Sequence, residues 1–339
     1  MTTVDTVDSA VGTIRGRKKV VATAVGGALW LWLLARWAVH NTLLDAVFSA
    51  IGLPDLIHSE ARVGVREPWI PAAPFQAVAD ALGGVAAAVG PLSFLADWLA
   101  WPFELAAFAT STGPALAEGA FITVYLTVIS MALGLVIAVP LAVTRVYGGP
   151  ISSRLSLAYT ELIRGTPLLA QLFFFYFGLP LAGLIGSVGI MELDGMPRTA
   201  AVVAIVAFTI NSAAYQAEYI RAALQSVDGG QLTAARAIGL SKREGIRHVV
   251  LPQGLRFAIP GWTNEFVYLI KYSSLAAFIT VPDMFRRARD IGSDTFQYTE
   301  IYVVVGLCYL GLVITTAMLM NRLEDRLSLP GVGQSVGRE

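Results

Sequence analysis

Glu265 and Lys271 place a carboxylate and an ammonium inside an otherwise apolar stretch, residues 257–281. Charges are costly in a bilayer and persist there when they face protein, an opposite charge or a water-filled path. Six residues apart, the two fall on different helix faces and are poorly spaced for a direct pair. Ser273 and Ser274 supply hydroxyls beside Lys271, which could snorkel only from near a span end. Mid-span, where the topology below puts it, Lys271 is expected to serve a pathway or an interface. A second polar set, Asn211, Tyr215 and Glu218, is spaced by four and three residues and shares one helix face. Such groups suit either hydrogen bonding between packed helices or the lining of a polar pathway. Glu218 could also be solvated, or paired with Arg221.

Other chemistries are poorly supplied. His40, His58 and His248 are scattered without ligand spacing, and Cys308 is the single cysteine. Neither a metal cluster nor an intramolecular disulfide is expected. No G-x-x-x-x-G-K-[ST] nucleotide cradle occurs, which excludes ATP hydrolysis by that route. No nucleophile–base constellation suggests a membrane enzyme. The formal net charge is zero, so the total charge points to no nucleic-acid partner. Charged residues make up 14% of 339, against roughly 25% in soluble domains, and the mean hydropathy is +0.64. The chain reads as an all-α integral membrane protein.

Six stretches reach the ~20 mostly apolar residues that a span needs: 20–39, 119–144, 168–191, 199–219, 257–281 and 301–320. Helices are expected, since open strands would leave backbone groups unsatisfied in lipid. The first follows Arg15, Arg17, Lys18 and Lys19 and lacks a clean small-x-small cleavage site, so it reads as an uncleaved anchor. Basic residues orient the rest. The N-terminal cluster, Arg145 with Arg154 and Arg164, Arg236 with Lys242, Arg243 and Arg247, and Arg322 with Arg326 are expected inside, along with both termini. Arg286, Arg287 and Arg289 are then left outside, against the trend. Residues 41–118 form an outer extension in which Pro54, Pro68, Pro71 and Pro74 mark an irregular stretch. The short apolar run 81–96 reads as re-entrant or interfacial, and Trp98 and Trp101 suit a headgroup belt. The plan is therefore an anchor (1–40), an outer extension (41–118), a five-helix core (119–327) and a cytoplasmic tail (328–339).

Between two very apolar segments lies a polar, basic one, residues 226–256, patterned as a helix–turn–helix. Ala234, Ala235 and Ala237 lead to Gly239, which suits a left-handed helix end. Ser241 precedes Glu244 by three residues, a capping box that opens a second helix, and Pro252 is expected to close the module. On residues alone, two roles remain open. Lys242, Arg243 and Arg247 suit anionic lipid, whereas the alanines suit close docking in a partner's groove.

This segment carries a resemblance. Thr233-Ala234-Ala235, three residues, Gly239, nine residues and Val249-Val250-Leu251-Pro252 is similar to the "EAA" loop of prokaryotic ABC-importer permeases, with Thr233 for the family's Glu and Val249 for its Ile. The run from Tyr159 to Gln171, YTELIRGTPLLAQ, resembles the opening of the second core helix in permeases for polar amino acids. Asn211-Ser-Ala-Ala-Tyr215 with Glu218 and Arg221, and Lys271-Tyr-Ser-Ser-Leu275, resemble the same subfamily, although its members usually carry Asp or Asn where Tyr272 stands. The similarity covers about residues 119–327. It implies that Thr233, Ala234, Ala235, Gly239, Leu251 and Pro252 couple the chain to cytoplasmic ABC ATPase subunits that use ATP and Mg, this chain binding no cofactor. It also implies a second permease subunit, an extracytoplasmic amino-acid-binding protein and polar amino-acid cargo. A zwitterionic cargo would need partners for its ammonium and its carboxylate, which Asn211, Tyr215, Glu218, Glu265, Lys271, Ser273 and Ser274 could supply.

Thr166 before Pro167 reads as a hydroxyl N-cap with proline at the first helical position. With Arg164 beside it, near the inner face, this helix end is expected to meet an anionic group of lipid or partner rather than cargo. Two rival functions are weaker. An ion-driven secondary transporter should show inverted repeats and broken midplane helices, and neither is evident. A non-transporting scaffold would not need Asn211, Glu265 and Lys271 within its spans.

Overall fold

The structure, a computed structural model, describes residues 70–89, 93–179, 181–186 and 199–327, with isolated positions before them. The expected anchor at 20–39, most of the extension 41–118 before residue 70, and the tail 328–339 lie outside the described residues. All described secondary structure is helical. In chain order the helices are α1 (Ala73–Val89), α2 (Ser93–Tyr147), α3 (Pro150–Arg164), α4 (Leu168–Phe173), α5 (Leu181–Gly186), α6 (Thr199–Ser226), α7 (Gly229–Ala237), α8 (Lys242–Gly245), α9 (Leu251–Tyr272), α10 (Met284–Thr295) and α11 (Tyr298–Leu327). Among the described residues, three helical stretches are long and apolar enough to cross a membrane: Asp97–Tyr147, Thr199–Ser226 and Tyr298–Arg326.

Small residues set the packing of α2 on α6. Ala138, Ala142, Ala213, Ala214 and Ala217 are buried at this contact. At Gly134 a Cβ would lie 2.7 Å from Gln216 Nε2 and 3.2 Å from Ala213 N. Without such side chains the backbones approach closely, the packing mode that membrane helices favour. Hydrogen bonds then cross the gap: Gln216 Nε2 donates to Met131 O at 3.0 Å and Ser130 Oγ to Ile205 O at 3.3 Å. Helix α3 joins the same pair, as Tyr159 donates to Ile210 O at 2.7 Å and Ser156 to Leu141 O at 2.9 Å.

At one end of the bundle sits the helix–turn–helix. Its residues Leu232, Val250 and Leu251 pack with Ala138, Ala142, Leu224 and Val227, and Lys242 Nζ reaches Tyr147 O at 3.0 Å. At the other end, α10 lies against α2. A Cβ on Gly119 would stand 2.6 Å from Met284 N, and Met284 N donates to Thr123 Oγ1 at 3.4 Å. The buried Asp283 carboxylate caps Arg286 N at 2.9 Å and accepts from Tyr309 of α11 at 3.4 Å.

The expected spans differ from the observed helices in three places. The span set at 119–144 continues backwards without interruption to Ser93, giving a 55-residue helix about 82 Å long. The expected border at residue 118 thus falls inside α2, and α1 packs along the outer half of that helix. The span set at 168–191 is broken: α4 passes into a π-turn, Phe174–Gly178, and the chain leaves it extended at Leu179. The span set at 257–281 begins earlier, at Leu251, and narrows to a 3-10 turn, Ser273–Ile279, ending on left-handed Thr280. Asn264, Glu265 and Lys271 lower the apolarity of α9, although its 22 residues span about 33 Å.

The outer contact of α2 with α10 has a direct test. Gly119→Ala forces Met284 and Asp283 to move, and overpacking of this kind costs about 1–3 kcal/mol. Gly113→Ala, where a Cβ meets nothing within 4 Å, is the control. A melt of the detergent-solubilised protein should show a lower midpoint for the first and none for the second.

Candidate functional site

A cavity of about 670 Å³ opens between the α3–α4 turn, the middle of α6 and the second half of α9. The turn presents Arg164 and Thr166, helix α6 presents Asn211, Tyr215 and Tyr219, and α9 presents Glu265, Tyr268 and Tyr272. On α6 these residues recur every four positions and on α9 at three and four, so each helix contributes one face. Four tyrosines share the walls with leucines of α4 and α9. Tyr268 and Tyr272 stack with ring centroids 6.0 Å apart, and Arg164 Cζ lies 5.3 Å from the Tyr215 centroid. Glu265 is 5% exposed.

The turn is shaped differently from its sequence reading. Pro167 itself occupies the N-cap position, at φ −61° and ψ 134°, and helix α4 starts one residue later at Leu168. The Thr166 hydroxyl therefore does not cap α4. It turns back to the end of α3, shared between Leu162 O at 3.1 Å and Ile163 O at 3.2 Å. Arg164, which is exposed, lines the cavity with Asn211 and Glu265.

Of the candidates, Asn211, Tyr215 and Glu265 come together in the cavity and the others do not. Glu218, three residues beyond Tyr215, pairs with Arg221. Lys271 leaves the cavity face and lies over the Tyr268 ring, with Nζ 4.5 Å from the centroid. Ser273 and Ser274 return their hydroxyls to Ile270 O and Lys271 O, both at 2.7 Å, as chain-local bonds. Tyr219, Tyr268, Tyr272 and Gln171 were missed as part of this region. The signal was available in the repeats 211/215/219 and 265/268/272, which extend the two polar sets along their faces.

The hairpin follows its sequence closely. Asp228 caps α7 through Gly230 N at 2.6 Å. Gly239 has φ +96°, and its amide and that of Leu240 bond to Arg236 O and Ala235 O at 3.1 and 3.2 Å, the Schellman pattern. The capping box forms in both directions, Ser241 N to Glu244 Oε2 at 2.8 Å and Glu244 N to Ser241 Oγ at 3.3 Å. These Ser241 hydrogen bonds hold the Glu244 carboxyl below the ordinary glutamate range. Pro252 does not close the module. A π-turn, Ile246–Val250, carries α8 straight into α9, and Pro252 stands next to that turn, where its missing amide leaves one rung out of the backbone ladder. Ala235 is buried; a Cβ on Gly245 would lie 2.8 Å from Leu232 Cδ1 and 3.4 Å from Ala235 Cβ. Thr233, Ala234, Arg236 and Gly239 are exposed, as is Ile238, an isoleucine left 80% open.

These two features have counterparts in known proteins. Residues 130–329 match the family described as binding-protein-dependent transport system inner membrane component. The glutamine transport system permease protein GlnP of Escherichia coli (strain K12) is 37% identical over 234 residues, 69% of this chain and 98% of that one. The probable glutamine ABC transporter permease protein GlnM of Bacillus subtilis is 38% identical over 210 residues, 62% of this chain and 92% of that one. A crystal structure of an amino acid ABC transporter with histidines superposes with a TM-score of 0.53 at 32% identity, over 63% of this chain and 94% of that one. The chain belongs to the family of binding-protein-dependent transport system inner membrane components, as a multi-pass permease subunit rather than an ATPase.

Proposed function

We propose that this permease imports polar amino acids and that its cavity is where cargo rests within the membrane. One observation carries the reading: Glu265 and Arg164 line the same cavity. An α-amino acid is a zwitterion, so its ammonium has a carboxylate to meet and its carboxylate a guanidinium. The tyrosine faces add cation–π attraction for the ammonium end. The glutamine-system relatives support a polar side chain on the cargo, with glutamate, glutamine, arginine and histidine as candidates.

Transport is driven from the hairpin. Thr233, Ala234, Ile238 and Gly239 form an exposed knuckle whose base, with Ala235 and Leu251, is packed into the bundle. Cytoplasmic ATPase subunits seat on that knuckle and use ATP and Mg, while this chain binds no cofactor. An extracytoplasmic binding protein delivers cargo at the opposite end, and a second permease copy or paralogue completes the pathway; no nucleic acid takes part. The hairpin end is cytoplasmic, as are both termini, because Arg145, Arg236, Lys242, Arg243 and Arg247 gather there. The arginines on the opposite side are partly neutralised: Arg286 pairs with Asp290 at 2.9 Å and Arg287 with Glu118 at 3.3 Å. The count of basic residues favours this orientation, with Arg286, Arg287 and Arg289 as its exception.

Uptake into proteoliposomes holding the full transporter tests both halves. Glu265→Gln keeps the shape and removes the charge, and a charged hydrogen bond contributes about 1.5–3 kcal/mol, so KM should rise about tenfold or more. Lys271→Met, outside the cavity, should leave KM within about twofold; equal effects in the two variants would refute the cavity assignment. Gly239→Val meets no neighbour, but it disfavours the left-handed turn by about 1–2 kcal/mol. Uptake should fall while membrane insertion persists, and crosslinks to the ATPase from Ala234→Cys should weaken. Wild-type uptake in the Gly239 variant would separate the turn from coupling.

A further inference from the structure

The buried side chain closest to the cavity that the transport reading leaves without a role is Gln171, in the first turns of α4. It is 7% exposed. Its Nε2 faces three acceptors: Ile163 O at 2.6 Å, Thr166 Oγ1 at 2.7 Å and Thr166 O at 3.1 Å. Its Oε1 accepts from Asn211 Nδ2 at 3.0 Å. The amide thus grips the backbone on both sides of Arg164 and Gly165 and ties that turn to α6. Arg164 itself is exposed, and its ring contact with Tyr215 is a weak restraint for a long side chain. The turn's other bonds run back to α3, Gly165 N to Glu161 O at 2.8 Å and the Thr166 hydroxyl to Leu162 O at 3.1 Å, whereas Gln171 carries the turn across to Asn211 of α6.

The geometry points to Gln171 as a positioning residue for cargo specificity. Through its grip on Ile163 and Thr166 it holds the Arg164 guanidinium at a set distance from Glu265, and so selects α-amino acids over compounds whose ammonium and carboxylate lie further apart. The inference rests on the cavity being the cargo site. Gln171 touches no cargo; it acts through Arg164. A carboxamide suits this role because it donates to the turn with one end while accepting from Asn211 with the other. A carboxylate of the same shape would face Ile163 O and Thr166 O with lone pairs against lone pairs.

The test uses the complete transporter in proteoliposomes, with radiolabelled glutamine, glutamate, arginine and histidine as the probes. Gln171→Glu, which keeps shape, and Gln171→Leu, which keeps burial, are compared with Arg164→Gln and with the Gln171→Leu/Arg164→Gln double variant. Each Gln171 variant should raise KM about tenfold, the loss of roughly one buried hydrogen-bonded contact, with kcat and basal ATPase within about twofold. Discrimination against 4-aminobutyrate, added as an unlabelled competitor whose charged ends lie further apart, should narrow, while the ranking of the four α-amino acids stays. Because the effect runs through Arg164, the double variant should be no worse than the poorer single one. Additive losses, or a fall in kcat with KM unmoved, would overturn the inference and make Gln171 a packing residue. If Arg164→Gln and Glu265→Gln move KM but Gln171 variants do not, the positioning role alone is lost. If none of the three moves KM, the cavity reading fails and this inference with it.

Discussion

No side chain fits between α2 and α6 at Gly134, and most of the bundle is mounted on that fact. Gln216 and Ala213 occupy the space that a Cβ would need, and the flanking alanines bring the two longest-buried backbones into contact. In lipid no water is expelled by pressing two helices together, so close approach and the dispersion it brings must hold them. With α2 and α6 fixed, α3 can hydrogen-bond to both through Ser156 and Tyr159. Helix α9 can then lie on α6 at Gly254 and Gly261, where Leu224 and Tyr219 fill the missing side-chain volumes. The cavity is what remains where α6 and α9 carry tyrosines instead of alanines and glycines.

Polar groups in such a bundle need partners, and their arrangement divides the molecule. In the α2–α6 contact they are bonded across the gap, as with Gln216 to Met131 O. At the outer end Asp283 gathers a helix cap and Tyr309. Both are closed arrangements that serve cohesion. The cavity differs: Glu265 and Arg164 line one space without bonding each other, the condition for accepting a third molecule with both charges. Amino-acid cargo supplies them in a single small unit.

The helical class, the hairpin and its turn were legible because they depend on local chemistry. Gly239 alone sets a left-handed residue, and Ser241 with Glu244 forms its box within four residues. The polar faces were half legible. Asn211, Tyr215 and Glu265 stood out as polar groups in apolar runs, but tyrosine is common enough near membranes that the continuation of their repeats to Tyr219, Tyr268 and Tyr272 carried little weight. Lys271 stood out for the same reason as Glu265 yet faces away, since one residue of helical phase separates it from Tyr272. The continuity of α2 back to Ser93 was hidden because Pro102 and Pro114 lie within it, and proline in sequence suggests an end. Arg164 and Gln171 meet the cavity through a turn, and no periodicity reports on where a turn leads.

The hairpin and the cavity share one element, and this bears on how force could reach cargo. From Leu251 to Glu265 the chain is a single helix, a rise of about 21 Å with no loop between. Displacing the knuckle must displace Glu265 unless the helix yields. Two places allow it to yield. The π-turn Ile246–Val250 joins knuckle to helix, and π-turns are loosened relative to α-helix. Pro260 removes one backbone bond, to Arg256 O, five residues before Glu265. Arg164 stands on the other side, on a turn held by α6 and not by the hairpin. On the proposed reading, the part of a push at the knuckle that these two places do not absorb would move the carboxylate relative to the guanidinium, changing the separation that a zwitterion must match. A mismatch between the two charges, driven from the hairpin, would on that reading loosen both ends of the cargo at once without a separate gate.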